Sequence, residues 1–468
     1  MSKSLVKQLH TDILTSSDCV EQDLSDICWS SFSKQYHMLT RDIGNTLEDD
    51  SLTQALNRPL RCSRECISSK LTLTLKSHKP QGEIAVRNLH ASPSYGFAGL
   101  SIWVMRVLEE KLKTFSQILR SAEELVPAIK SVSLEGHEQV RLIRIDVKHF
   151  FMSGAPNALA QAAAELFDEP LRRLIRNTLD FLGSSQYLTS EFFPSKIWKV
   201  RTGSGMGLRH SGALADAAFL SMLEKPWVLP ENVRSSYGLI RYWRFKDDIL
   251  IVSAGREALG AWFREARNFA SFFELEVPEV SAHRVQMLSL MVERRGNRLE
   301  CFPCEKPCLG PPLGWCSSHQ HKVHGWPLRR LHALSRLCSD WRDFPEVADK
   351  FIRRFETNHF PAEFLASMRR VRDMLVSQQC DLAPIQRSMQ GCATYNMVLP
   401  HHPAWSTSQF HRFVRNLSHD DILQHLHEVS YGCKQFTFRV GWRYDSSHIV
   451  HKARNYPKLL DDTPSFCT

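Results

Sequence analysis

Two apolar runs that meet at a pair of aspartates constrain this chain more than any other feature. Leu239–Trp243 and Ile249–Val252 bracket Phe245-Lys-Asp-Asp248. Short apolar runs on either side of a polar turn predict a strand hairpin, here with both acids at its tip. Well upstream, Leu142-Ile-Arg-Ile-Asp146 is another short strand that ends on an acid. Laid side by side, these strands gather Asp146, Asp247 and Asp248 at one edge of a sheet. An Asp-Asp dipeptide alone is usually a solvated turn. The order strand–Asp, glycine-rich loop, helix, strand–Asp-Asp–strand gives it chemical meaning. Carboxylate oxygens are the ligands Mg²⁺ prefers. Two such ions about 4 Å apart activate a hydroxyl nucleophile and neutralise a leaving pyrophosphate in phosphoryl transfer.

The surrounding pattern is mixed. Lys70-Leu-Thr-Leu-Thr-Leu75 alternates as a half-buried strand does, turns at Lys79-Pro-Gln-Gly82 and returns at Ile84–Val86, a hairpin with basic residues near its tip. Phe97–Leu119, Leu159–Leu182, Ala213–Glu224 and Ala258–Phe273 suit helices. Met287–Val292 and Arg298–Phe302 flank a Gly296-Asn297 turn and predict a further hairpin. Pro327–Val376 is helical, amphipathic and basic, whereas residues 1–60 are polar with one helix expected near Cys28–His37. Beyond Ala383 the pattern is less regular, with a helix expected at Ser418–Val429.

With 468 residues, 43% of them hydrophobic, the chain is globular and long enough for several packed units. Its net charge of +9 favours a polyanionic partner. The N-terminus lacks the apolar core of a signal peptide, and no apolar run reaches spanning length, so no membrane association is expected. The 13 scattered cysteines read as reduced thiols of an intracellular protein.

Leu142-Ile-Arg-Ile-Asp-Val-Lys-His-Phe-Phe151 resembles the first palm motif of reverse transcriptases, and Arg244-Phe-Lys-Asp-Asp-Ile-Leu250 resembles their Tyr-x-Asp-Asp box with Phe245 for tyrosine. The Gly203–Ser211 loop and the helix after it stand where the intervening motif belongs. Within that class the chain is most similar to Penelope-like retroelement enzymes. Lys76-Ser-His-Lys-Pro80 followed by Arg87 resembles their fingers segment, and Glu305-Lys-Pro307 with Ser317-Ser-His319 and Lys322 resembles their post-palm stretch.

The resemblance implies an α+β right-hand polymerase with fingers, an antiparallel-sheet palm and a helical thumb. The expected division is an N-terminal extension at 1–60, fingers at 61–131, palm at 132–325, thumb at 326–381 and a C-terminal connector at 382–468. It implies an RNA-directed DNA polymerase that adds deoxynucleotides (dNTPs) to a DNA primer on an RNA template, acting in the nucleus. Asp146, Asp247 and Asp248 are its expected catalytic ligands for two Mg²⁺ ions. Arg87 and one of Lys76 or Lys79 would clamp the triphosphate. Phe151 would exclude a ribose 2′-hydroxyl, and Met206 and Gly207 would lie beneath the templating pair. The arginines at 329, 330, 336, 353, 354, 369, 370 and 372 would follow a duplex backbone.

The sequence departs from the family in places. Val200 stands where a glutamine is usual, Met206-Gly-Leu-Arg-His-Ser-Gly212 lacks two prolines, and Met287-Leu-Ser289 replaces Phe-Leu-Asp. Neither half of a GIY-YIG nuclease motif follows Tyr395. The alternative reading is therefore a catalytically impaired nucleic-acid-binding protein derived from such an enzyme. A phosphohydrolase or cyclase shares the carboxylate chemistry but leaves the fingers and thumb segments unexplained. Cys301-x-x-Cys304 with Cys316 and His319 has zinc-site spacing. The resemblance puts that stretch on a metal-free primer-gripping hairpin, so buried thiols rather than zinc are expected.

Overall fold

The computed structural model describes residues 3–23, 27–48, 56, 67–75, 85–92, 95–137, 139–304, 315, 320–380, 392–400 and 435–443. The chain divides into two compact units, Met1–Pro311 with Ala333–Phe351, and Pro312–His332 with Ile352–Thr468.

The first unit opens with α1 (Lys3–Leu14), β1 (Cys19–Gln22), α2 (Trp29–Leu47), the hairpin strands β2 (Ser68–Leu75) and β3 (Val86–Ala91), α3 (Ala98–Leu112) and α4 (Ala122–Lys130). Next come β4 (Arg141–Lys148), α5 (Pro156–Ala164), α6 (Leu171–Ser184), β5 (Tyr187–Ser190), β6 (Phe193–Val200), α7 (Ser211–Phe219) and α8 (Glu231–Ser236). The hairpin β7 (Leu239–Phe245) and β8 (Asp248–Ser253) precedes α9 (Arg256–Ala270). Short strands β9 (Glu274–Leu275) and β10 (Glu279–Ser281) lead to a meander of β11 (Arg284–Met287), β12 (Leu290–Arg295) and β13 (Arg298–Pro303). Helices α10 (Gln320–Leu337) and α11 (Phe344–Glu356) contribute to both units. The second unit also holds α12 (Ala362–Cys380) and the parallel pair β14 (Cys392–Pro400) and β15 (Gln435–Arg443).

The fold is mixed α and β. Its central sheet has the order β10-β4-β8-β7, with β9 pairing at one end of β4. Side chains on a strand alternate between faces. Ile143, Ile145 and Val147 of β4, with Ile249 and Ile251 of β8, fall on one face and are buried in the main apolar cluster. That cluster includes residues of α2, α3, α5, α6, α7 and α9. Leu142, Leu250 and Val252 fall on the other face, in a second cluster with Leu125, Val126 and Ile129 of α4 and the inner side of the β11–β13 meander. Beyond that cover the second face continues as Arg144, Asp146 and Asp248, which are less buried. The alanine-rich helix α7 is buried on all sides, as an interior helix must be when it lacks a polar stripe.

The second five-stranded sheet runs β1-β6-β5-β2-β3. It joins the Lys70–Leu75 hairpin to strands between Tyr187 and Val200, and its edge strand comes from the first 60 residues. One sheet thus draws on three of the segments expected to be separate, the N-terminal extension, fingers and palm.

Two expected elements differ in detail. Met287–Val292 is not one strand: the chain reverses at Leu288, in the left-handed region at φ 57°, and Gln286 Nε2 donates to the Leu288 carbonyl at 3.1 Å. The helix expected to reach Leu119 ends at Leu112. The helix expected at Ser418–Val429 lies outside the described residues. No helix among the described residues is long and apolar enough to cross a membrane.

Trp262 anchors α9 with no exposed surface; its indole N–H donates to the Trp227 carbonyl at 3.3 Å, and the Trp227 indole N–H donates to the Trp262 carbonyl at 3.2 Å. Trp262→Phe is expected to cost about 2–4 kcal/mol through lost volume and an orphaned carbonyl. The check is a urea titration, in which the midpoint falls while the slope holds.

Candidate active site

The register of the central sheet brings the acids together. β4 and β8 are antiparallel, and Asp146 stands directly opposite Asp248. The β7–β8 connection is the two-residue turn Lys246-Asp247, closed by Phe245 opposite Asp248. Lys246 sits in the left-handed region at φ 52°, a conformation that costs a residue with a Cβ about 1 kcal/mol or more. The turn is tied to β4 because Val147 N–H donates to the Asp247 carbonyl at 3.0 Å.

The acids crowd one another. Burial, then Asp247, Asp248 and Glu276, push Asp146 up to about 6, against the opposing pull of Arg144. Burial and Asp248 also raise Asp247, opposed by Arg144 and Arg87. Arg144 is a residue to which the sequence reading gave no role. Its Nη2 and Nε donate to Asp248 Oδ1 at 2.9 and 3.2 Å. The clue was present: Arg144 is two residues before Asp146 and therefore shares its face of the strand.

This donor set of hard oxygens suits Mg²⁺. The charge crowded at Asp146 and Asp247 is what a divalent cation would relieve. Among the described residues, no group of three or more His, Cys, Asp and Glu is arranged to hold a metal ion, and Asp248 is already engaged by Arg144. Cys301 is buried in the second apolar cluster, and burial pushes its thiol up to about 12. Its expected companions Cys316 and His319 lie outside the described residues.

Arg87 is exposed on β3, and its charge is felt at Asp247. Lys76 and Lys79 lie outside the described residues. Phe151 is half-buried in a 3₁₀ turn directly after β4, its ring edge-on to Phe150 at 5.5 Å. Met206 and Gly207 belong to a loop laid along β3: His90 N–H donates to the Met206 carbonyl at 2.7 Å. Two glycines are required by that fit. A Cβ on Gly203, at φ 62°, would lie 2.2 Å from Met152 Cα, and one on Gly207, at φ 115°, would lie 2.9 Å from the His90 carbonyl oxygen. At Gly207 the close approach is to the backbone of β3. Gln186 braces the loop by accepting from Gly205 N–H at 3.0 Å and donating to the Gly203 carbonyl at 3.2 Å. A glutamine therefore supports this loop, although not at position 200. Of the arginines expected along a duplex, Arg336 pairs with Glu123, Arg369 with Glu356 and Arg372 with Asp373.

Behind the turn lies a buried charge network that the sequence reading did not find. Arg244 has no exposed surface; its Nε meets Glu224 Oε1 and its Nη1 meets Asp216 Oδ1, each at 2.6 Å. Tyr242 donates to Glu224 at 2.9 Å, and the guanidinium lies over the Phe219 ring at 4.9 Å. Burial opposes the charge on Arg244, but Glu224 and Asp216 outweigh it and raise the guanidinium's pKa. Glu224 reaches inward from the wide π turn Leu220–Glu224 that continues α7. Removing one member of a buried set like this leaves a charge unpaired, at about 3–5 kcal/mol.

No family model matches the chain, and no curated protein matches it. Solved structures match part of it. Telomerase from Candida albicans, in complex with the TWJ fragment of telomeric RNA, is 11% identical with a TM-score of 0.45, covering 66% of this chain and 59% of that one. Apo telomerase from Candida tropicalis is 12% identical at a TM-score of 0.41, covering 72% and 68%. The RNA-dependent RNA polymerase of a human picobirnavirus is 12% identical at 0.40, covering 67% and 64%. This chain spans less than two thirds of the Candida albicans telomerase.

The raised Asp146 has a signed consequence. A carboxyl held at about 6 when folded, above the ordinary 3.8, contributes stability below 3.8 that is lost as pH rises through about 6. In chelator at neutral pH, Asp146→Asn is expected to stabilise the protein by about 1–2 kcal/mol after solvent screening. It should also flatten the pH dependence of Tm between about pH 4 and 6. A lower Tm for the variant under those conditions would contradict the assignment.

Proposed function

We propose that this chain is a template-directed nucleic-acid polymerase of the reverse-transcriptase type, adding deoxynucleotides to a primer 3′-hydroxyl. The observation that carries the reading is the β4–β8 register, with Asp146 opposite Asp248 and Asp247 in the adjoining turn. The ordered motif resemblance from Lys70 to Val376 supports it. The finer reading is an RNA-directed DNA polymerase of a Penelope-like retroelement, built as a right hand and working on an RNA template and a DNA primer in the nucleus.

In this reading Asp146 and Asp247 would hold two Mg²⁺ ions, with Asp248, bonded by Arg144, as the supporting carboxylate. When bound, the metals would lower the pKa of the primer hydroxyl and neutralise the pyrophosphate. Arg87, with one of Lys76 or Lys79, grips the triphosphate. Phe151 sets a wall beside the sugar. The glycine-rich loop, pinned by Gln186 and His90, gives the nucleotide pocket a rigid floor. His90 and His210, both lowered to about 4 by burial, are neutral and serve as packing and hydrogen-bonding groups rather than proton carriers.

A second reading, a nucleic-acid-binding protein without catalysis, draws support from the Arg144–Asp248 pair and from the absence of a ready ligand cluster among the described residues. Primer extension on RNA and DNA templates with Mg²⁺ separates the two. Asp247→Ala is expected to lower the rate about a hundredfold or more, while salt-sensitive template binding persists. No extension by the wild type, or extension unchanged by Asp247→Ala, would overturn the polymerase reading. Phe151→Ala is expected to raise ribonucleotide use relative to deoxynucleotide use by about tenfold, or 1.4 kcal/mol of discrimination. Competition between the two nucleotide types measures it.

A further inference from the structure

Asp216 lies at the meeting point of two elements of the site. It sits on α7, which also carries Gly212, and its side chain is buried. One oxygen takes Arg244 Nη1 at 2.6 Å, and the other takes the Lys246 ammonium. Arg244 in turn donates to the Lys246 carbonyl at 3.1 Å, and Lys246 Nζ donates to the Gly212 carbonyl at 3.3 Å. One carboxylate therefore grips the Asp-Asp turn twice, through the backbone just before Asp247 and through the side chain at its tip. The neighbourhood beside Gly212 is that of Phe151: a Cβ built there would lie 3.2 Å from Lys246 Nζ and 3.8 Å from Phe151 Cε1.

The charges balance. Arg244 and Lys246 offset Asp216 and Glu224, so the network can be buried without an unpaired ion. The balance depends on Lys246, the one of the four whose side chain is partly exposed, at 32%. Lys246 also holds a left-handed backbone that residues with a Cβ adopt reluctantly. A glycine would satisfy that conformation better but would lack the tether.

We infer that Asp216 and Lys246 are positioning residues that lock the Asp247–Asp248 turn to α7, so that the acids and the wall of the nucleotide pocket keep a fixed separation. The inference rests on the polymerase reading for its consequence in catalysis, although the tether itself is a property of the fold. Both side chains are engaged within the protein rather than assigned to substrate. Their effect falls on alignment, so kcat drops while nucleotide KM changes little.

The test compares Lys246→Met, Lys246→Arg, Lys246→Gly and Asp216→Asn. Amide hydrogen exchange across residues 244–248 reports the tether directly, without requiring activity. Lys246→Met and Asp216→Asn are expected to speed exchange at the turn by about ten- to a hundredfold, the range for a lost charged hydrogen bond. Lys246→Arg keeps the cation and is expected to stay within a few-fold of wild type. Lys246→Gly separates tether from backbone preference: faster exchange supports the tether, whereas unchanged or slower exchange shows that only the left-handed backbone mattered and overturns it. Should Asp216→Asn unfold, the partly exposed Lys246 variants decide the matter. In primer extension, a Lys246→Met variant with kcat lowered and KM held supports the positioning role, and one with KM raised and kcat held contradicts it. If the wild type extends no primer, the polymerase reading falls, while the exchange data still judge the tether.

Discussion

A guanidinium with no access to water is the constraint around which the site is organised. Arg244 cannot shed its proton and cannot be left unpaired. Once β7 carries it into the interior, two carboxylates must arrive with it. Asp216 comes from α7, and Glu224 comes from the π turn that prolongs the same helix. The pairing therefore fixes where α7 lies against the hairpin and where the Asp-Asp turn points. The aromatic rings of Phe219 and Phe150 fill the remaining surface of the guanidinium, which is planar and weakly hydrated enough to be packed on its faces.

The same arrangement accounts for the contrast between the front and the back of the turn. At the back, charges are matched and buried. At the front, Asp146 and Asp247 are each raised by burial and by neighbouring carboxylates, with the repulsion only partly offset, and Arg144 engages Asp248. Matching stabilises the scaffold, whereas the unmatched acids keep a local excess of negative charge where a cation can enter.

Much of this was legible in the sequence. The apolar runs around Asp146 and Asp247-Asp248 gave the strands, and their order gave the neighbours in space, because alternation on β4 leaves the acid on the face opposite Ile143, Ile145 and Val147. The strand at Lys70–Leu75 and a helix over Ala213–Glu224 were equally plain. What escaped detection had local signals that point the wrong way. Arg244 and Glu224 are charged, and charge in an amphipathic reading means surface. β5 and β6 were unassigned because Pro194, Ser195 and Lys196 interrupt the alternation and are in fact exposed. Gln186 acts on a loop 17 residues away in sequence, a link only the folded backbone reveals. Leu288 turns the chain in a conformation no leucine advertises.

The sheet that joins β1 to β6 has a consequence in time. Cys19 is paired with Val200, so this edge strand cannot dock until about 180 residues have followed it. At ordinary ribosomal rates that interval is roughly 10–35 s. During it α1 and β1 hold their apolar side, including Leu14 and Cys19, without the strand that will cover it. Until β6 is made, Cys19–Gln22 lacks its strand partner, so closing the sheet is a late, long-range event with a loop-entropy cost.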